Sequence, residues 1–288
     1  MSFETLAEAF QKELIEIEEV NESGSVPELA VQNRGSIAVL GLDCEELEGA
    51  KQNRVFNTSI LFAPESRTRI PVNCVEAGRW HYKSSKFDHS GCFMHKELRS
   101  RKNRRVTDTL LESGEFTGNQ SDTWAGISEM HCAASVPELS SASKDVYTSV
   151  ERRVGDIVDS FHTVEHQVGA LIWADGKVEG FDIVGNSAAF RKLFRRLLLS
   201  YTTSIALNGD MASDGEHGSH SDQCAAGLSG ATFEPAVARR FMETCCAIEP
   251  RAFPGVGLGE DLRFDSPNVC GSALIHNQWP VHTAFFSV

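Results

Sequence analysis

Short apolar runs broken by turn signals dominate the first quarter of the chain. Leu6 to Leu14 predict a short helix, and Ile15 to Val20 a strand closed by Asn21-Glu22-Ser23-Gly24. Strands are expected at Leu29–Val31, Ile37–Leu42, Thr58–Phe62 and Arg69–Val75, with a turn at Ala63-Pro64-Glu65-Ser66. Connections this short favour antiparallel neighbours. The pattern then weakens. Lys83 to Phe93 read as a long loop, and Lys96 to Arg105 as an exposed helix without an apolar stripe, which Thr107–Leu111 extend.

Periodicity returns further on. Trp124 to Met130 begin a modest helix. Val146, Val150, Val154, Ile157 and Phe161 recur near helical spacing within a helix expected over 140–161. Asp175-Gly176 is a hairpin signal between apolar stretches, predicting strands over 168–173 and 178–184. A helix over 186–207 carries Phe190, Phe194, Leu197 and Tyr201 toward the core, and another covers 233–246. Three strands follow, at Leu262–Phe264, Gly271–His276 and Val281–Phe286. Residues 208–230 are rich in Gly, Ser, Asp and His and read as a mobile insert or surface loop within the domain. The expected fold is α+β or α/β, with a mixed, substantially antiparallel sheet and several packed helices. The second SVPEL, at 135–139, shares no surrounding pattern with the first at 25–29, so no duplication is expected.

Length and composition narrow this. A chain of 288 residues fits one large domain, and 17 Phe in an apolar fraction of 41% suffice for a core. The formal charge of −13 disfavours general adhesion to nucleic acid or anionic membrane. Yet nine of the 27 Lys and Arg lie between Arg79 and Arg105, against only Asp88 and Glu97. This run fits an anion funnel or a solvated charged face. Eight cysteines without a CxxC pair do not make a disulfide scaffold. The acidic N-terminus and the lack of a long apolar run place the chain in the cytoplasm, without membrane attachment.

Candidate chemistry clusters in the first half. Glu46, Glu48, Lys51, Gln52, Asn53 and Arg54 fall between two apolar segments; Glu76, Arg79 and Trp80 follow a third. If the strands pair, both groups meet at one end of a sheet. Arg54 and Arg79 offer planar forks for carboxylate or phosphate, Gln52 and Asn53 offer amide donors and acceptors, and Trp80 offers a stacking platform. Glu76 is the leading candidate for a general acid or base, with Glu48 as partner and His81 as an assisting imidazole. The same residues also fit a structural corner in which the acids pair with the arginines.

Other motifs carry less. Cys74 reads as a core thiol. His217, His220, Asp222 and Cys224 match no zinc spacing, and Gly255-Val256-Gly257-Leu258-Gly259 lacks the ending of a phosphate loop. Ser23, Ser66 and Ser272 show no His/Asp arrangement, so no serine triad is expected. No metal or cofactor is called for.

The segments Glu48–Arg54 running into VFNTSILFAP, IPVNCVEAGRW at 70–80, GKVEGFDIV and the Tyr201 helix resemble the ARG and rhodanese-phosphatase-superfamily-associated protein domain. The resemblance extends through residue 207 and again through the last two strands. It implies an association with ADP-ribosyl-glycohydrolase-like and phosphatase-like proteins, hence work around ADP-ribose or another phosphorylated metabolite. Fold-level association of this kind names no mechanism. The expected function is therefore binding or hydrolysis of an anionic, nucleotide-like small molecule, with catalysis itself left open. The alternative is a non-catalytic interaction or structural domain. The reading admits a homo-oligomer and gives no strong case for nucleic acid.

Overall fold

The computed structural model describes residues 2–20, 27–79, 82–136, 142–213 and 232–288. The first quarter is sheet, as its short apolar runs require. It contains β1 (Glu4–Thr5), α1 (Leu6–Gln11), β2 (Ile15–Glu19), β3 (Glu28–Asn33), β4 (Val39–Gly41), β5 (Glu45–Gly49), β6 (Arg54–Phe56), β7 (Ile60–Phe62) and β8 (Ser66–Cys74). Thr5 caps α1 with its side chain, while Glu8 reaches back to the Thr5 N–H, a reciprocal capping box.

The stretch expected as a loop at 83–93 instead contains β9 (Phe87–Phe93). It pairs with β5, and its alternation is obscured because only Phe87 and Phe93 bury fully. The polar run that follows is α2 (Lys96–Ser113). Its packed face includes Lys96, Arg99, Lys102 and Asn103 alongside Leu98, Val106 and Leu110. This helix has an inward stripe after all, but the stripe is partly charged, which a hydropathy pattern cannot register.

The remaining elements are α3 (Gln120–Ala133), α4 (Ser143–Asp159), β10 (Gly169–Ala174), β11 (Lys177–Val184), α5 (Ser187–Ser213), α6 (Pro235–Ala247), β12 (Arg251–Pro254), β13 (Glu260–Asp265), β14 (Val269–His276) and β15 (Trp279–Ser287). The Asp175-Gly176 hairpin forms as its sequence demands, with Asp175 at φ 49° and Gly176 at φ 79°. Helix α5 runs to Ser213, past the 207 expected, and residues 214–230 of the anticipated insert lie outside the described residues.

Among the described residues the strands form three sheets, six-stranded β2-β3-β8-β6-β5-β9, three-stranded β1-β4-β7 and six-stranded β10-β11-β15-β14-β13-β12. Only β1 and β4 pair in parallel. The fold is mixed α+β with largely antiparallel sheets. The loop 255–259 is a structural turn that rests on β7, where Leu258 N–H donates to Leu61 O at 2.8 Å. A Cβ on Gly257 would come within 2.4 Å of that same carbonyl, so backbone lies directly on backbone here. No helix among the described residues is long and apolar enough to cross a membrane.

Candidate functional site

Strands β5, β6 and β8 lie side by side, with Leu47 opposite Arg54 and Arg54 opposite Cys74. This register brings the two polar segments together at one end of the sheet. Asn53 is the hinge between them. Its backbone N–H donates to Glu76 Oε2 at 3.2 Å, and its Nδ2 donates to Glu46 Oε1 at 3.0 Å. Gln52 Nε2 donates to Glu76 O at 2.8 Å, while its Oε1 accepts from Arg54 at 3.2 Å and from the Cys74 thiol at 3.0 Å.

Arg79 closes the corner. Its Nε and NH2 take the two oxygens of Glu76 at 2.9 and 2.7 Å, a forked pair, and NH1 donates to Ala50 O at 2.6 Å. Arg54 is wholly buried, with Glu19 3.8 Å away. Glu48 sits at the surface side, bonded by Lys144. Lys51 lies 5.1 Å above the Tyr82 ring. Trp80 and His81 lie outside the described residues. Convergence of Gln52, Asn53, Arg54, Glu76 and Arg79 is thus observed, and each also bonds or pairs within the cluster.

The loop that makes this corner needs unusual backbone. Gly49 has φ +123°, and a Cβ there would fall 2.6 Å from Lys86 O and from Ser84 Oγ. Gly49→Ala is expected to cost roughly 1–3 kcal/mol, measured as a shift in urea midpoint at unchanged slope.

Glu46 differs from its neighbours. It is buried completely, and its hydrogen-bond partners are neutral: Asn53 Nδ2 and, at 3.0 Å, Ser143 Oγ at the start of α4. Burial pushes its carboxyl up to about 7, against the lowering effect of the two hydrogen bonds. Adjacent Glu45 shows the opposite outcome. Burial again raises it, but Arg196 and the 2.9 Å bond with His89 outweigh that and hold it at about 2. Two successive buried carboxyls therefore differ because Arg196 and His89 outweigh burial at Glu45, whereas the hydrogen bonds and the Lys144 charge do not outweigh it at Glu46.

A second buried polar cluster was not anticipated. Asp182 on β11 accepts from Arg99 NH2 at 2.6 Å, from the Tyr201 hydroxyl at 2.7 Å and faces His282 Nε2 at 3.1 Å. The other ring nitrogen of His282 lies 2.8 Å from Ser59 Oγ. Lys102 pairs with Asp43 at 3.1 Å, and Arg263 pairs with Asp261, which also accepts from Thr58. The basic run of α2 is thus neutralised by acids from elsewhere; even half-buried Arg104 and exposed Arg101 and Arg105 meet Asp265, Glu129 and Asp122. Residues from seven separated segments build this cluster, so sequence proximity gives no signal for it.

A family model now settles the kinship of the chain: the ARG and Rhodanese-Phosphatase-superfamily-associated Protein domain matches residues 1–286. The chain belongs to that family. The match covers the 52–54 and 76–79 segments that make the first corner as well as the strands that make the second cluster, so both lie within the family domain. No curated protein and no solved structure matches the chain.

Four cysteines of this family member are interior groups. Burial pushes the Cys74 thiol up to about 11 and those of Cys44, Cys245 and Cys270 up to about 12, whereas Cys132 and Cys246 are exposed. Iodoacetamide at pH 8 is expected to alkylate Cys132 and Cys246 in the native protein and to spare those four, as read by peptide mass mapping.

Proposed function

We propose that the chain binds and hydrolyses an anionic, nucleotide-like metabolite at the corner of Glu46, Asn53, Glu76 and Arg79. The observation that carries this reading is one Asn bridging two carboxyls of unlike setting. Glu76 is held by an arginine, while Glu46 has only neutral hydrogen-bond partners and titrates near neutral pH. Carboxyls whose surroundings drive them apart are suited to divided acid–base work. In this scheme Glu46 takes a proton from water or gives one to the leaving group. On binding, Arg79 exchanges the Glu76 carboxylate that its fork now grips for the phosphate or carboxylate oxygens of the ligand, and Glu76 is released. Gln52 and Asn53 orient it. The family name speaks of association with ARG and rhodanese-phosphatase proteins; taking ARG as ADP-ribosyl-glycohydrolase, we choose ADP-ribose or a related phosphorylated molecule as the ligand class to test.

A second reading has its own support. Arg54 is sealed from solvent and Arg79 is engaged by Glu76 and main-chain carbonyls, which suits a structural corner of a non-catalytic interaction domain. Calorimetric titration with ADP-ribose, mononucleotides and acidic metabolites, coupled to chromatographic detection of products, separates the two. The first reading requires binding weakened at least about tenfold, or ~1.4 kcal/mol, by Arg79→Lys, and turnover lost in Glu46→Gln while binding persists. Binding without turnover selects the second. Absence of any binding overturns the first.

A further inference from the structure

We propose that Ser59, His282 and Asp182 form a second reactive centre, a serine nucleophile with its base and orienting acid, which takes a small carboxylic ester. The three residues stand in line: Ser59 Oγ to His282 Nδ1 at 2.8 Å, and His282 Nε2 to Asp182 Oδ1 at 3.1 Å. This is the spacing that a nucleophile, base and orienter require.

The direction of the hydrogen bonds follows from Asp182. Burial by itself would raise this carboxyl, but the Arg99 charge and the bonds from His282 and Arg99 hold it well below the usual carboxylate range. An ionised carboxylate only accepts, so Nε2 carries the proton and Nδ1 presents its lone pair to the serine hydroxyl. Arg99 and the Tyr201 hydroxyl fix the acid from its other sides. On the serine side, the Asp43 N–H donates to Ser59 Oγ at 2.9 Å, which fixes the rotamer with its hydrogen toward the ring.

A second observation points to a ligand. Asp43 Oδ2, Arg99 Nε and Arg263 NH1 are buried without hydrogen-bond partners among the described residues. All three belong to this cluster: Asp43 through its N–H to Ser59, Arg99 through Asp182, and Arg263 through a 2.8 Å bond to Thr58 Oγ1 beside Ser59. Native interiors rarely leave such groups unsatisfied, and a catalytic role is one explanation of an exception. Ser59 is only 6% exposed and His282 1%, which limits any substrate to a small acyl group.

The step balances as an ester hydrolysis. Ser59 Oγ attacks the carbonyl carbon and its proton passes to His282 Nδ1. The carbonyl carbon–oxygen bond to the alcohol breaks, and the alcohol leaves with that proton. Water then attacks the acyl-serine and gives a proton to Nδ1. The bond to Oγ breaks, and Oγ recovers that proton as the carboxylic acid departs.

The 288-residue chain is incubated with methanesulfonyl fluoride and, separately, assayed with 4-nitrophenyl acetate. The expected result is one sulfonyl adduct mapping to the peptide that contains Ser59. Ester hydrolysis should fall at least about 100-fold in Ser59→Ala and roughly 10²–10⁴-fold in His282→Gln. Ser59→Ala removes a single oxygen, and its near-ultraviolet dichroism should match the wild type. No adduct on the folded wild-type chain, an adduct at another residue, or wild-type hydrolysis by Ser59→Ala each overturns the proposal.

Discussion

Arg99→Ala is expected to lower the unfolding free energy by about 3–5 kcal/mol, because it leaves Asp182 buried with its main counter-charge gone. Arg99 makes two bonds to Asp182, and its guanidinium carbon lies 4.8 Å from the Phe286 ring centre, so charge and packing are lost together. Urea unfolding at pH 7 measures the loss. A double replacement, Arg99→Met with Asp182→Leu, should recover much of it, since an apolar pair asks for no compensation. Recovery will be incomplete, because Tyr201 and His282 also bond Asp182. The pair also sets an acid limit. The Asp182 carboxyl is depressed in the fold, so its contribution is complete above the unfolded value near 3.9 and fades as pH falls below it. An Arg99→Ala protein with wild-type stability at pH 7 would show that the ion pair contributes nothing.

Glu46 gives the opposite pH dependence. Its folded pKa is raised from 4.5 to about 7, so the folded chain holds a proton that the unfolded chain releases. Stability from this group is fully present below 4.5, declines as pH rises toward 7, and is flat above it. The span corresponds to a loss on the order of 3 kcal/mol. Glu46→Gln mimics the protonated form and should remove this slope. The variant is expected to match the wild type near pH 4.5 and to exceed it by a few kcal/mol at pH 8. Parallel stability curves for the two proteins between pH 5 and 8 would rule out a raised Glu46.

What the sequence exposed and what it hid follow one physical rule. Elements whose inward face is apolar were legible: the Asp175-Gly176 hairpin, the α4 stripe of Val146 and Val150, and the Phe190–Tyr201 face of α5. Elements whose inward face is charged were not. Helix α2 buries Arg99, Lys102 and Asn103 at helical spacing, and the acids that meet Arg99 and Lys102 come from β11 and the chain before β5. Counting the recurrence of 99, 102, 103, 106 and 110 irrespective of polarity would have revealed its buried face. The corner at 46–79 could be anticipated because its partners sit on neighbouring strands. Ser59 and His282, 223 residues apart, meet only through tertiary packing, and no local signal links them.

The position of β15 bears on how the chain is made. It is the last strand in this sequence, yet it lies between β11 and β14, with β10-β11 on one side and β14-β13-β12 on the other. Until residues 279–287 leave the ribosome, β11 and β14 each present an unpaired edge rich in buried-type side chains such as Phe181, Val184 and Leu274. During that interval the two half-sheets are ready templates for strands of other nascent chains, so soluble yield should fall with translation crowding and rise when a holdase chaperone shields those edges.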